Sequence, residues 1–175
     1  MPACRYVELD VSRQFLQEFR QKIRESGSSG EVVLVVPRPG GGILLHTKSF
    51  YPKETYRLPT GRLLPEEDPL QAFHREFTEE LGTEGRLDRS LGVIIHRLKC
   101  GNEEPVEFTS NIYLAKEMPE KPVPHDDSEQ ITGFTEVSTS ELKNVADRLE
   151  NLPGRWLDWG RFRAVVHRFV AESLL

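Results

Sequence analysis

The chain has 175 residues, 37% of them hydrophobic and 29% charged, enough to bury a core without disulfide or metal staples. Its formal net charge of -5 excludes a broad cationic surface for nucleic acid, whose affinity comes mainly from lysine and arginine neutralising phosphates. No apolar run approaches the roughly 20 residues needed to cross a bilayer, so no membrane role is expected. Arg5, Glu8 and Asp10 stand where a secretory leader needs an unbroken apolar segment, which points to a cytoplasmic address. Two cysteines, Cys4 and Cys100, form neither a disulfide framework nor a zinc spacing and read as free thiols. The expected organisation is one domain over residues 1–175.

In chain order, a strand and helix are expected over about residues 5–25. Phe15, Leu16, Phe19 and Ile23 give Ser12 to Glu25 a helical rhythm that SGSSG stops. EVVLVVP (31–37) and ILLHT (43–47) flank RPGGG and read as strands, most simply a hairpin. That glycine run lacks the following helix and the Lys-Ser/Thr ending of a phosphate loop, so it is expected only to turn. GVIIHRLK (92–99) and VEFTSNIYLA (106–115) repeat the pattern around Gly101 and Asn102, which suit a turn. Residues 117–130, rich in proline and acid, read as a long exposed loop. A last strand is expected over 131–137, then a helix capped by Ser138 or Ser140 through about Leu149, and a final helix over about 158–174. Mixed strands and helices make the class α/β or α+β, a sheet covered by helices.

The densest acidic stretch is GRLLPEEDPLQAFHREFTEELGT, Gly61 to Thr83. Asp68 and Pro69 start a helix, Gln71 completes a capping box, and Gly82 is the natural stop. Leu70, Phe73, Phe77 and Leu81 fall on one narrow arc and are the expected buried face. Glu76, Glu79 and Glu80 lie beside that arc, at the margin of the core. Like charges at such spacings oppose helix formation, and hard divalent ions such as Mg²⁺ take carboxylate ligands. Taken alone, the three glutamates are equally well explained as a solvated acidic face.

The surrounding spacing alters that balance. Gly61, Glu67, Arg75-Glu76-Phe77, Glu79-Glu80 and Gly82 reproduce the charged and glycine positions of the Nudix box, and the sequence resembles the Nudix hydrolase superfamily. Thr83 departs from the pattern, standing where an aliphatic residue is usual. The resemblance implies an α/β/α sandwich with a mixed central β-sheet. It implies Glu76, Glu79 and Glu80 as metal ligands, Glu67 assisting from the loop, Arg75 orienting the carboxylates, and Gly61 making the turn. Tyr56 to Gly61 looks like the family's entry to the box, with Thr60 in place of a glycine. Threonine resists a positive φ, so a different backbone is expected there.

The activity implied is that of a pyrophosphohydrolase. Water attacks a phosphorus of a diphosphate linkage in a nucleoside diphosphate derivative, an ADP-ribose-type compound or a nucleoside triphosphate, with Mg²⁺ or Mn²⁺ as cofactor. A base within hydrogen-bond reach of the water is required. Glu79, Glu80 and Glu129 are the candidates, the last because the family often carries a carboxylate shortly before the last strand; His125, Asp126 and Asp127 are its alternatives. Lys48 and Arg57 flank Tyr51 and Tyr56, offering cations for phosphate and rings on which a base stacks. Trp156 and Trp159 read as packing or a subunit contact, and many relatives are homodimers. The alternative function is a binding module that senses a nucleotide without turning it over, which loss of a box glutamate would favour.

Overall fold

The computed structural model describes residues 2–175. Its elements are β1 (Ala3–Asp10), α1 (Arg13–Ser26), β2 (Gly30–Val35), β3 (Ile43–Lys48), β4 (Thr60–Arg62), α2 (Pro69–Leu81), β5 (Leu87–Lys99), β6 (Val106–Ala115), β7 (Ile131–Val137), α3 (Leu142–Glu150) and α4 (Leu157–Leu174). Five strands form one mixed sheet in the order β1-β5-β6-β2-β4, and β3 pairs with β7 in a second, two-stranded sheet. Within the larger sheet β1 runs parallel to β5 and β2 parallel to β6, while β5–β6 and β2–β4 are antiparallel.

The apolar run of β2 explains the layering. Every residue of β2 is buried, as a strand covered on both faces requires. Val32 and Leu34 pack with Phe73, Phe77 and Leu81 of α2. Val33 and Val35 point the other way, into a cluster with Leu142, Val145, Ala146 and Leu149 of α3 and Val166, Phe169 and Val170 of α4. The result is the α/β/α sandwich that the sequence implied. A third cluster joins Leu16 and Phe19 of α1 to Phe108 and Phe162, which anchors the N-terminal helix against α4.

Several expectations need correction. Residues 31–37 and 43–47 do not form a hairpin in one sheet. β2 and β3 belong to different sheets, joined by a bridge at Pro37 and Ile43 and by the Leu44 N–H donating to the Val36 carbonyl at 3.0 Å. Gly40 and Gly41 adopt positive φ between them, so the glycine run does turn. β5 begins at Leu87, earlier than expected, and its register slips between Ser90 and Gly92. Leu70 is not part of the buried face of α2; it is 38% exposed. Cys4 and Cys100 are free, and among the described residues no helix is long and apolar enough to cross a membrane.

Residues 117–130 form the exposed loop expected, and it is strapped down at several points. The buried Arg38 guanidinium donates to the Met118 and Glu120 carbonyls and to Glu136. The backbone N–H groups of Val123 and His125 donate to the Leu81 and Glu79 carbonyls at 3.0 and 2.9 Å, meeting acceptors that the end of a helix leaves open. The segment thereby lies across the C-terminal end of α2 and closes with a 3₁₀ turn, Asp127–Glu129.

Candidate active site

Helix α2 begins and ends as its sequence requires. The Asp68 side chain accepts from the Leu70 N–H at 2.8 Å, the capping box with Gln71 is formed, and Gly82 closes the helix at φ 74°. These ends set the phase of Arg75, Glu76, Glu79 and Glu80. Gly61 makes no turn. It sits within β4, where a Cβ would lie 1.8 Å from Cδ of Glu76, so its missing side chain is what lets that carboxylate lie against the strand. Thr60 begins β4 without a positive φ, and its Oγ1 accepts from Arg57 at 2.8 Å. The threonine is accommodated because a strand, not a left-handed turn, occupies this place.

Arg75 is the hub of the acid cluster. Its Nε and Nη2 donate to the two oxygens of Glu67, both at 2.8 Å, and its Nη1 donates to Glu76 at 2.6 Å and to Glu79 at 3.1 Å. Its remaining donor reaches the Arg62 carbonyl at 3.0 Å. This fork fixes three carboxylates by planar, charge-assisted bonds that a lysine could not reproduce. Hydrogen bonds from Arg75 hold the Glu67 carboxyl below its ordinary range.

Glu76 and Glu80 lie deeper than the helical wheel implied, at 5% and 0% exposure. Oε2 of Glu76 and both carboxylate oxygens of Glu80 are buried without a hydrogen-bond partner among the described residues. Burial raises Glu76 to about 7, opposed by Arg75, and raises Glu80 to about 8 against the pull of Lys48 and Arg57. Glu129 is close enough for its charge to raise both, and it accepts from Lys48 Nζ at 2.6 Å. Glu79 is more accessible, its side chain 37% exposed.

The predicted residues thus form two adjoining groups. Glu67, Arg75, Glu76 and Glu79 meet at the guanidinium; Glu80, Glu129 and Lys48 gather around the second buried carboxylate. Arg57 is brought to the same place but is 4% exposed, and it donates to Tyr51 Oη, the Leu58 carbonyl and Thr60 at 2.7 to 2.9 Å. Its Nε and Nη1 are committed to the protein and brace the wall, which leaves Nη2 as the part of the fork without a protein acceptor among the described residues. Tyr51 packs against Trp156 and Trp159, so those tryptophans are packing partners of this loop. Tyr56 is half-buried against the core. His125 and Asp126 lie on the strap, Asp126 capping the 3₁₀ turn.

Sequence reasoning missed His46. It is fully buried on β3, its Nδ1 3.8 Å from Glu80 Oε2, and burial followed by the charges of Arg57 and Lys48 holds it well below its ordinary pKa. The alternation of ILLHTK, which puts Leu44, His46 and Lys48 on one face, was the available signal.

Among the described residues no three His, Cys, Asp or Glu side chains enclose a common ion position; Arg75 draws Glu76 and Glu79 toward itself. The chemistry of the donors nonetheless suits a hard divalent cation. Three buried carboxylate oxygens without partners are the ligand type such an ion takes, and a cation would compensate their burial.

The sandwich and this acid cluster define a Nudix-type site. The family profile described as NUDIX domain matches residues 29–160, and the chain belongs to the NUDIX family, as a Nudix-type pyrophosphohydrolase. Its fold is shared with a MutT protein from Methanosarcina mazei Go1, at 18% identity and TM-score 0.55 over 82% of this chain and 93% of that one. A MutT NUDIX hydrolase from Burkholderia pseudomallei is similar at 20% identity and TM-score 0.53, over 84% and 98%. An Ap4A hydrolase of C. elegans is similar at 21% identity and TM-score 0.52, over 79% and 97%. No curated protein matches the chain.

Proposed function

We propose that the protein hydrolyses a diphosphate linkage in a nucleoside diphosphate derivative, either an ADP-ribose-type compound or a nucleoside triphosphate, in the presence of Mg²⁺ or Mn²⁺. The observation that carries this reading is the set of unpartnered carboxylate oxygens on Glu76 and Glu80, held beside Glu129 with every box acid intact.

The divalent ion supplies Lewis-acid polarisation of the phosphate oxygens and lowers the pKa of an attacking water. Glu76, Glu79 and Glu80 are the residues that would hold it, and Arg75 keeps Glu67, Glu76 and Glu79 in register. Glu79 or Glu129 takes the proton as water attacks phosphorus and the bridging P–O bond breaks, giving two phosphorylated products. Lys48, already drawn to the site by Glu129, meets a substrate phosphate. Arg57 positions Tyr51, which with Tyr56 lines the approach. Residues 1–175 act as one Nudix unit, because α1 and α4 share a core cluster and α4 helps to cover the sheet that carries the site.

The test is product release from a panel of nucleoside diphosphate and triphosphate compounds with and without Mg²⁺ or Mn²⁺. Cleavage of at least one compound, dependent on the metal, is the expected result. A protein that cleaves none of them but gains thermal stability from a nucleotide would be a binding module instead.

A further inference from the structure

His46 and Glu80 face each other between β3 and α2 with all four of their side-chain polar atoms, Nδ1, Nε2, Oε1 and Oε2, buried and without partners among the described residues. Both side chains are wholly inaccessible, and Nδ1 lies 3.8 Å from Oε2, in contact but beyond hydrogen-bond range. Buried polar groups are almost always paired, since leaving one unpaired costs its full desolvation. An apolar residue of similar size would fill this part of the core without that cost, so packing does not explain the imidazole. The backbone aims it firmly: the His46 N–H donates to the Arg57 carbonyl and the Arg57 N–H to the His46 carbonyl, both at 2.9 Å. On the same face of β3, Leu44 packs with the phenylalanines of α2 and Lys48 meets Glu129, which leaves His46 opposite Glu80.

We propose that His46 is a positioning residue for Glu80: on loading of a divalent cation the 3.8 Å gap would close, Nδ1–H would donate to Oε2 and Oε1 would be left to the cation, so that the carboxylate presents one oxygen in one orientation. The inference rests on the reading of Glu80 as a metal ligand. Hydrogen bonds of this kind orient a ligand and raise its affinity for the ion, and their loss typically weakens metal binding by about 10- to 100-fold.

The experiment is Mn²⁺ titration of the full chain without substrate, followed by electron paramagnetic resonance, for wild type, His46→Phe, His46→Asn and His46→Gln, with thermal unfolding of each. Phe fills the space without a donor, Asn places an amide N–H near the position of Nδ1, and Gln reaches toward that of Nε2. Weakening of roughly 10- to 100-fold in His46→Phe, with most of the affinity recovered in His46→Asn and not in His46→Gln, is expected. Wild-type affinity in His46→Phe, or equal weakness in His46→Phe and His46→Asn, would overturn the proposal. If His46→Phe does not fold, the comparison of Asn with Gln decides: tighter binding by Asn supports it, and equal or reversed order refutes it. A wild type that binds no Mn²⁺ removes the metal-ligand reading itself, a failure distinct from that of His46.

Discussion

At Gly61 the carboxylate of Glu76 occupies the space that a side chain would take, with a Cβ placed 1.8 Å from Cδ. Gly61→Ala therefore forces Glu76 or β4 to move. Overpacking of this kind costs about 1–3 kcal/mol, or a fall in Tm of about 2–12 °C for a chain of this size. Differential scanning calorimetry reads it, and an unchanged Tm would show that the strand yields freely. Glu129 has a different exposure to test. Its position beside Lys48 and the two buried glutamates predicts that Glu129→Gln lowers kcat by on the order of 100-fold or more, the usual contribution of a general base, with Tm nearly unchanged. Full turnover in that variant removes Glu129 from proton transfer. The glutamates and Arg75 were legible from their spacing, but the depth of Glu76 and Glu80 was not. A helical wheel assigns direction, whereas burial depends on what stands opposite, here a glycine in β4 and a histidine in β3.

At the scale of the element, α2 carries its own pH dependence. The folded values of Glu76 and Glu80, about 7 and about 8, lie above that of an unfolded glutamate. Their neutral forms therefore favour the fold at low pH, and this contribution is lost as pH rises through those values. Without divalent ions, Tm should fall between about pH 4.5 and 8 and level off above that. Excess Mg²⁺ should raise Tm more at the upper end of that window than at the lower, because metal and proton compete for the same oxygens. Differential scanning fluorimetry over that window checks both, and a Mg²⁺ effect that does not grow with pH would contradict the assignment of these oxygens as ligands. Helix α2 and the β5–β6 hairpin were readable because their signals are local: a capping box, a C-terminal glycine, and turn residues between alternating runs. β4 was not, since three residues show no periodicity. The pairing of β3 with β7 was not either, because partners so far apart in sequence leave no local trace.

Across the whole molecule, the same layers that place the acids also bury neutral histidines away from them. His96 is lowered to about 4 and His167 to about 3, mainly by burial. His167 accepts from the Leu58 N–H at 3.0 Å, and its other ring nitrogen lies 2.8 Å from the Arg163 carbonyl, tying α4 to the segment before β4. A histidine with a depressed folded pKa favours the fold above about 6.5 and loses that contribution as pH falls toward the folded value. The Tm advantage of wild type over His167→Gln should therefore shrink between about pH 7 and 4. Parallel curves would mean that His167 does not titrate on unfolding. The sandwich itself was legible through the resemblance that the acid and glycine spacing carries, and the burial of β2 on both faces agrees with it.

The central claim, that the buried carboxylates of α2 run a metal-dependent diphosphate hydrolysis, is tested most directly by the turnover of Glu80→Gln. The assay uses the best compound of the substrate panel with Mg²⁺ or Mn²⁺, alongside wild type and with Tm as a control for folding. Glutamine keeps the shape of the side chain and removes the charge, and it relieves the burial of an ionisable group. The account predicts a folded variant at least as stable as wild type without metal, with turnover reduced by at least about 100-fold, the scale of a lost charge-stabilising group. A folded Glu80→Gln protein that turns over at the wild-type rate would contradict it.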